Sequence, residues 1–281
     1  MASSTSPAVI TITSWFWNDG YYVVKCFMEE DEIGTALRAV QDLADTRWFR
    51  DTDKALRRHA PLNLSDNINA NAPVFRLVHE RMIELASRLH PAWSVASQWR
   101  PVELREGSTP QHLHRDFWAA ETCSAIVKSE WVQGSVLVAL TAGPKLITVP
   151  GAFQGCALRN DAHVVEMDAG DLLIFRGDLP HANPAAETLD IRLEGTLLVD
   201  GVAHSNGVEK VAWGFYRCHF CFKKCDSKRA LTNHANRYCD LNPDKEAVAK
   251  KRKANNEKGA YCDKCDRHFG KKNTYNKHTC I

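Results

Sequence analysis

At 281 residues, with 44% hydrophobic side chains and eight Trp, the chain has enough apolar material for one large core or two smaller ones, which excludes an intrinsically disordered protein. The net charge of +2 is the sum of two unlike parts: residues 1–209 carry 18 Lys and Arg against 27 Asp and Glu, a net −9, and residues 210–281 carry 18 against 7, a net +11. An acidic large segment joined to a basic small one suggests that the second part meets a polyanion, another protein's acidic face, or its own first domain.

Seven of the ten Cys fall in the last 64 residues. The first 25 residues lack a basic, apolar leader, and no stretch approaches the roughly 20 apolar residues of a membrane span. The expectation is an intracellular, soluble chain without membrane contact, in which paired Cys are metal ligands rather than disulfides.

Residues 1–19 open on the small polar run MASSTSPA and predict a flexible N-terminus. YYVVKCF (21–27), β-branched and aromatic, predicts a strand. MEEDEIGTALRAVQDLAD begins with acidic residues that suit a helix N-terminus and spaces Ile33, Leu37, Val40 and Leu43 as an amphipathic helix. A second helix starts at Pro73, runs through Phe75, Val78, Met82, Leu85 and Leu89, and stops at His90 and Pro91. Between about 95 and 203 come VELRE, SAIVKSEWV, GSVLVAL, KLITVPG, HVVEM, GDLLIFRG and LDIRLEGTLLVDG, separated by Gly, Pro and Asp. Many short strands at this spacing predict an all-β sandwich or barrel. Arg176 and Asp178 are expected in a solvated turn.

TPQHLHRDF (109–117) carries a metal question. In a strand, residues two apart share a face, so His112, His114 and Asp116 can be presented together. A cupin-type site would use His112, His114 and a glutamate four or five residues on, where Trp118 and Ala119 stand. A facial triad would use His114, Asp116 and a distant His, leaving open positions on a ferrous ion. His181, in GDLLIFRGDLPHA, lies 65 residues after Asp116, and Arg192 follows eleven residues later in an apolar strand. A buried guanidinium there needs an anion, and a bound carboxylate would supply one.

LREGSTPQHLHRD, VLVALTAGPKLITVPGAF, GDLLIFRGDLPHA and DIRLEGTL together resemble the Fe(II)/2-oxoglutarate-dependent dioxygenases, most closely the phytanoyl-CoA dioxygenase-like branch, over roughly residues 20–205. The resemblance implies a double-stranded β-helix, or jelly roll, over 20–209, mainly β with supporting helices. It implies His114, Asp116 and His181 as iron ligands and Arg192 as partner of the distal carboxylate of 2-oxoglutarate, with Thr196 on the same strand face to help; Gln111 flanks the site, where it either contacts co-substrate or substrate or packs. With molecular oxygen as co-substrate, it implies oxidative decarboxylation of 2-oxoglutarate to succinate coupled to oxidation of a C–H bond. His112 is expected beside the site rather than on the metal, and Trp118 flanks it.

In the basic tail, Cys218 and Cys221, then His234 twelve residues on and Cys239, match the ββα zinc-finger pattern, with Tyr216, Cys225 and Leu231 as its small core (214–240). A polar, basic linker occupies 241–260, and a second copy over 261–281 offers Cys262, Cys265, His278 and Cys280 to zinc, with Phe269 in the core. Only Thr279 separates His278 from Cys280, so the fourth ligand is open between Cys280 and a group such as His268. Helix positions Ser227, Ala230 and Asn233, and Lys271, Thr274 and Lys277, would face bases, yet base-reading arginines are nearly absent, which favours backbone contact. KKRK (250–253) is either a nuclear address or a solvated helix, and nuclear residence is the expectation. The functional expectation is an oxygenase that hydroxylates or demethylates a nucleic acid or chromatin-associated protein held by the fingers. The alternatives are a small-metabolite hydroxylase whose fingers localise it, and a non-catalytic binding protein.

Overall fold

The computed structural model describes residues 14–47, 49–50, 56–64, 73–122, 128, 131–153, 156–204, 207–225, 227–250, 260–262 and 267–269. The chain divides into two compact units, Met1–Ala157 with Asp161–Trp213, and Leu158–Asn160 with Gly214–Ile281. Among the described residues, no helix is long and apolar enough to cross a membrane.

The elements begin with α1 (Ser14–Asp19), β1 (Tyr21–Val24), α2 (Glu30–Arg47), β2 (Phe49–Arg50), β3 (Arg57–His59), β4 (Leu62–Asn63) and α3 (Pro73–Leu89). They continue through β5 (Trp93–Val95), β6 (Gln98–Leu104), β7 (His114–Arg115), α4 (Ala119–Thr122), β8 (Gly134–Ala139), β9 (Lys145–Thr148) and β10 (Ala157–Leu158). Then come β11 (His163–Glu166), β12 (Leu172–Arg176), β13 (His181–Ala182), β14 (Asp190–Val199), β15 (Glu209–Lys210) and β16 (Trp213–Gly214).

Two antiparallel sheets make the first unit. The larger has the order β1-β12-β8-β14-β6-β3-β2, with β4 also on β6 and β5 on β14; the smaller has the order β11-β9-β13-β7-β15. Mainly antiparallel strands with few helices form the jelly roll that the sequence led us to expect. The central strands of the larger sheet are apolar on both faces. From β8, β12 and β14, Val136, Val138, Leu172, Ile174, Ile191, Leu193 and Leu197 join the core shared with Val40 of α2 and Val74, Phe75, Val78, Met82 and Leu85 of α3. Their neighbours Leu137, Ala139, Leu173 and Phe175 pack on the opposite side with Leu146, Val165, Met167 and Leu179. Two buried faces explain why these strands read as unbroken hydrophobic runs rather than alternating ones. The amphipathic faces of α2 and α3 cover one of them.

Two expectations change in detail. The strand foreseen over 21–27 ends at Val24, because Cys26 takes a positive φ of 53° and Lys25 turns to bond Asp171 at 2.6 Å. Arg176 and Asp178 are not solvated: they are 8% and 1% exposed and form a two-pronged ion pair at 2.9 and 2.8 Å, with the guanidinium 3.7 Å from the centre of the Phe153 ring. A planar guanidinium can pair with a carboxylate and stack on an aromatic face at once, so charge and burial coexist there. Most of the SAIVKSEWV run lies outside the described residues.

In the second unit, β17 (Tyr216–Arg217) pairs with β18 (Lys224–Cys225), followed by α5 (Lys228–Asn233). Ser227 caps α5 by accepting a bond from the Ala230 amide at 2.9 Å, a standard use of Ser at a helix start. Residues 245–250 are helical, and β19 (Ala260–Cys262) pairs with β20 (Arg267–Phe269). The Cys262 side chain and Cys265, His278 and Cys280 lie outside the described residues.

Candidate metal centres

His114 and His181 are 67 residues apart in the chain but directly opposite one another where β7 pairs with β13, so both imidazoles leave the same face and their ring centres lie 4.4 Å apart. Asp116, two residues past His114, brings its Oδ1 to 3.5 Å from His181 Nε2 and 3.8 Å from His114 Nε2. One ligand atom from each of the three falls within 4.8 Å of the others. The side chain of His112 is exposed and outside this cluster.

Each imidazole is oriented by a backbone carbonyl. His114 Nδ1 donates to the His112 carbonyl and His181 Nδ1 to the Leu179 carbonyl, both at 2.9 Å. A carbonyl can only accept, so both Nδ1 atoms carry hydrogen and, in the neutral ring, each Nε2 keeps its lone pair for the centre, the usual state of a metal-binding histidine. Burial, and then the neighbouring His181, push His114 down to about 4. Burial also acts against a charged His181, but Asp116 outweighs it and holds that group above its ordinary value. Asp116 lies well below the carboxylate range because the two imidazoles and the Ser135 hydroxyl outweigh its own burial. Metal binding would displace the proton from His181, and two imidazole nitrogens with a carboxylate then match the donor set of a facial triad for ferrous iron.

The segment that carries the triad is pinned from outside. Arg115, 6% exposed, donates to the Asp178 carbonyl and the Ala152 carbonyl at 3.0 Å each. Phe117 stands directly over Gly177, where a Cβ would lie 1.9 Å from its Cδ2, and its amide donates to the Gly177 carbonyl at 3.1 Å. Glycine at 177 is thus what lets the Asp116 segment close onto the turn before His181.

The triad opens into a cavity of about 640 Å³. Leu137, Leu146 and Phe175 form apolar wall near the histidines, while Arg57, His59, Arg100, Gln111, Asn183, Glu194 and Thr196 supply polar wall. Gln111 and Thr196 both line this cavity. Arg192 does not reach the cavity wall. It is 0% exposed, with Nη1 on Asn183 Oδ1 at 2.9 Å and the rest of the guanidinium on the Asp190 carboxylate. The expectation that this buried charge lacks an anion is corrected: Asp190, two residues earlier on the same face of β14, supplies it. Burial pushes the Asp190 carboxyl up against the pull of Arg192. Among the described residues, three guanidiniums (Arg57, Arg100, Arg192) and two carboxylates (Asp190, Glu194) cluster at this end, with Arg100 Nη2 on Glu194 at 2.5 Å. Sequence reasoning missed Asn183, Glu194 and Ser135. The first two carried a readable signal, two residues past His181 and Arg192 on their strand faces, while Ser135 carried none.

The second cluster gathers Cys218, Cys221, His234 and Cys239, again within 4.8 Å. Cys218 and Cys239 sulfurs are 3.7 Å apart and Cys221 sulfur is 3.1 Å from His234 Nε2. The first matches the roughly 3.8 Å edge of a tetrahedron with metal–sulfur bonds of about 2.3 Å. A π turn over His234–Tyr238 makes the spacing work. On an α-helix, Cys239 would point about 140° away from His234, whereas the Cys239 amide bonds the His234 carbonyl at 2.7 Å and returns to the same side. Cys225 is buried but outside this set.

No family model matches the chain and no curated protein matches its sequence. Solved structures do match. The non-heme alpha ketoglutarate dependent epimerase SnoN from nogalamycin biosynthesis aligns with a TM-score of 0.53 at 17% identity, over 69% of this chain and 83% of its own. A second SnoN structure holds Fe3+, alpha ketoglutarate and nogalamycin RO. The carbocyclase SnoK from the same biosynthesis gives 0.50 at 14% identity, over 71% and 94%. A Trichoplax adhaerens prolyl hydroxylase in complex with a hypoxia inducible factor peptide gives 0.50 at 13%, over 66% and 87%. At these identities the likeness is one of fold, and the chain shares the jelly-roll fold of the non-heme alpha ketoglutarate dependent enzymes.

Proposed function

We propose that the chain is an Fe(II)/2-oxoglutarate-dependent dioxygenase of the phytanoyl-CoA dioxygenase-like branch, with His114, Asp116 and His181 as the iron ligands. The observation that carries this reading is the convergence of these three side chains, both Nε2 atoms aimed inward, on the wall of one cavity. With 2-oxoglutarate and oxygen, iron supplies an oxidant strong enough to attack a C–H bond, leaving succinate. The residues of the chain do the rest. The carbonyls of His112 and Leu179 keep the imidazoles in the ligating tautomer, and Leu137, Leu146 and Phe175 keep water from the centre.

For the co-substrate we assign Arg192, Thr196 and Gln111. The guanidiniums of Arg57 and Arg100 on the cavity wall favour an anion, and a ligand carboxylate would take the place of Asp190 on Arg192. Cys218, Cys221, His234 and Cys239 are proposed to hold zinc as a first finger, and Cys262, Cys265, His278 and Cys280 as a second. On the +11 charge of residues 210–281, we propose that the fingers bring the enzyme to a nucleic acid or nuclear protein, which it hydroxylates or demethylates. A second reading, a small-molecule oxygenase, is favoured by the size of the cavity and the net −9 of residues 1–209, which opposes a phosphate backbone at the iron.

Iron- and 2-oxoglutarate-dependent succinate formation is the test. It is expected in the full chain and absent in Asp116→Ala; its absence from the iron-loaded wild type would overturn the assignment. A search for +16 mass shifts or lost methyl groups in nucleic acid, protein and metabolite pools separates the two substrate readings.

A further inference from the structure

The two oxygens of Asp116 face different partners. Oδ1 looks toward both imidazoles, 3.5 Å from His181 Nε2 and 3.8 Å from His114 Nε2. Oδ2 accepts a hydrogen bond from Ser135 Oγ at 2.5 Å. Ser135 is 6% exposed and belongs to the other sheet: it lies in β8, opposite Phe175 of β12 on one side and Thr196 of β14 on the other. Asp116 itself follows the short β7 and precedes α4, so its own segment is held by fewer ladder bonds than its anchor.

We propose that Ser135 is a positioning residue that holds Asp116 as a one-oxygen metal ligand. This rests on reading the triad as an iron centre. A carboxylate can swing about its Cβ–Cγ bond and offer a metal one oxygen or both. A hydroxyl donor on Oδ2 occupies the second oxygen with a charge-assisted bond and fixes the plane of the group. The bond crosses from the larger sheet to the ligand strand of the smaller one, so the number of open positions on the metal is set by β8 rather than by the ligand loop. Outer partners of ligands act in this way on orientation and basicity.

Mn(II) titration of the full chain, followed by electron paramagnetic resonance, tests the idea, because this hard ion prefers the triad to the thiolate cluster. Ser135→Ala is expected to weaken Mn(II) binding roughly 10- to 100-fold. It should also alter the zero-field splitting of the bound ion, as the freed oxygen changes the coordination. Ser135→Thr, which keeps the donor, should restore both. Wild-type affinity and an unchanged spectrum in Ser135→Ala would overturn the role of Ser135 while leaving the triad intact. Failure of the wild type to take Mn(II), by contrast, would sink the iron-centre reading itself. Thermal melting of the metal-free chains guards against a folding artefact. If Ser135→Ala does not fold, Ser135→Cys, close in shape and a weak donor, is expected to show the same direction of change; wild-type behaviour in it would count against the proposal.

Discussion

His114 and His181 stand on the paired strands β7 and β13, with Asp116 just past β7, in a unit whose larger sheet is buried on both faces, whereas Cys218, Cys221, His234 and Cys239 close a two-residue hairpin ladder and a six-residue helix. Among the described residues from 214 onward, the buried side chains are Cys218, Cys225, His234, Cys239 and Asn242, so three of the five belong to the proposed zinc set. In the first unit the scaffold makes the metal site. In the second the proposed ligands are most of the buried side chains, and a metal there would be a structural element rather than a guest. Similar ligand chemistry thus carries opposite folding consequences, because one cluster adds to an apolar core and the other replaces it.

The sharpest way to break this contrast is metal removal. In a zinc-binding finger the metal contributes about 10–16 kcal/mol of folding free energy, so chelation should collapse the hairpin and helix of residues 214–240. The jelly roll should keep its chemical shifts, as read by two-dimensional NMR, and Cys218→Ser should reproduce the selective loss. Simultaneous unfolding of both units on chelation would contradict the comparison.

Next in size is the buried pair of Arg192 and Asp190. Arg192→Met leaves Asp190, 7% exposed, without its partner and should cost about 3–5 kcal/mol in denaturant unfolding. The double variant Asp190→Leu with Arg192→Met should recover most of that stability. If Arg192→Met were as stable as wild type, the guanidinium would not be the structural partner of Asp190.

The smallest effect concerns acid. Burial alone would raise Asp171, but Lys25 and the Asp168 and Cys26 amides outweigh it and hold its carboxyl below the usual range. A carboxylate with a depressed folded pKa stabilises the fold above its unfolded value of about 3.9, and that contribution is lost as pH falls through the lower folded value. Thiolate ligands, with free values near about 8.5, compete with protons far earlier. Lowering the pH should therefore release zinc before the jelly roll loses its near-ultraviolet dichroism. Asp171→Asn should cost the jelly roll only about 1–2 kcal/mol of stability at neutral pH and should move its acid midpoint little.

Much of this was legible in the chain, for definite reasons. The spacing of Phe75, Val78, Met82, Leu85 and Leu89 gave α3 its bounds because one face of it meets the sheet. The order of His114, Asp116 and a distant His181 could be read as one cluster because strand pairing, not sequence proximity, brings β7 against β13. What was not legible depends on contacts across sheets. Ser135 looks like any small residue of an apolar strand until β8 is folded over Asp116. Arg176 and Asp178 read as a polar turn because nothing local announces the Phe153 ring above them. The partner of Arg192 was two residues away, yet only the strand face tells that Asp190 and not a ligand holds it here.

The measurement closest to the centre of the account is anaerobic addition of 2-oxoglutarate to the Fe(II)-loaded full chain, followed by visible absorption. Chelation of a keto acid by ferrous iron in the triad predicts a new charge-transfer band that is saturable in 2-oxoglutarate and missing in Asp116→Ala. A wild-type chain that retains iron through His114, Asp116 and His181 yet shows no such band at any 2-oxoglutarate concentration would contradict it.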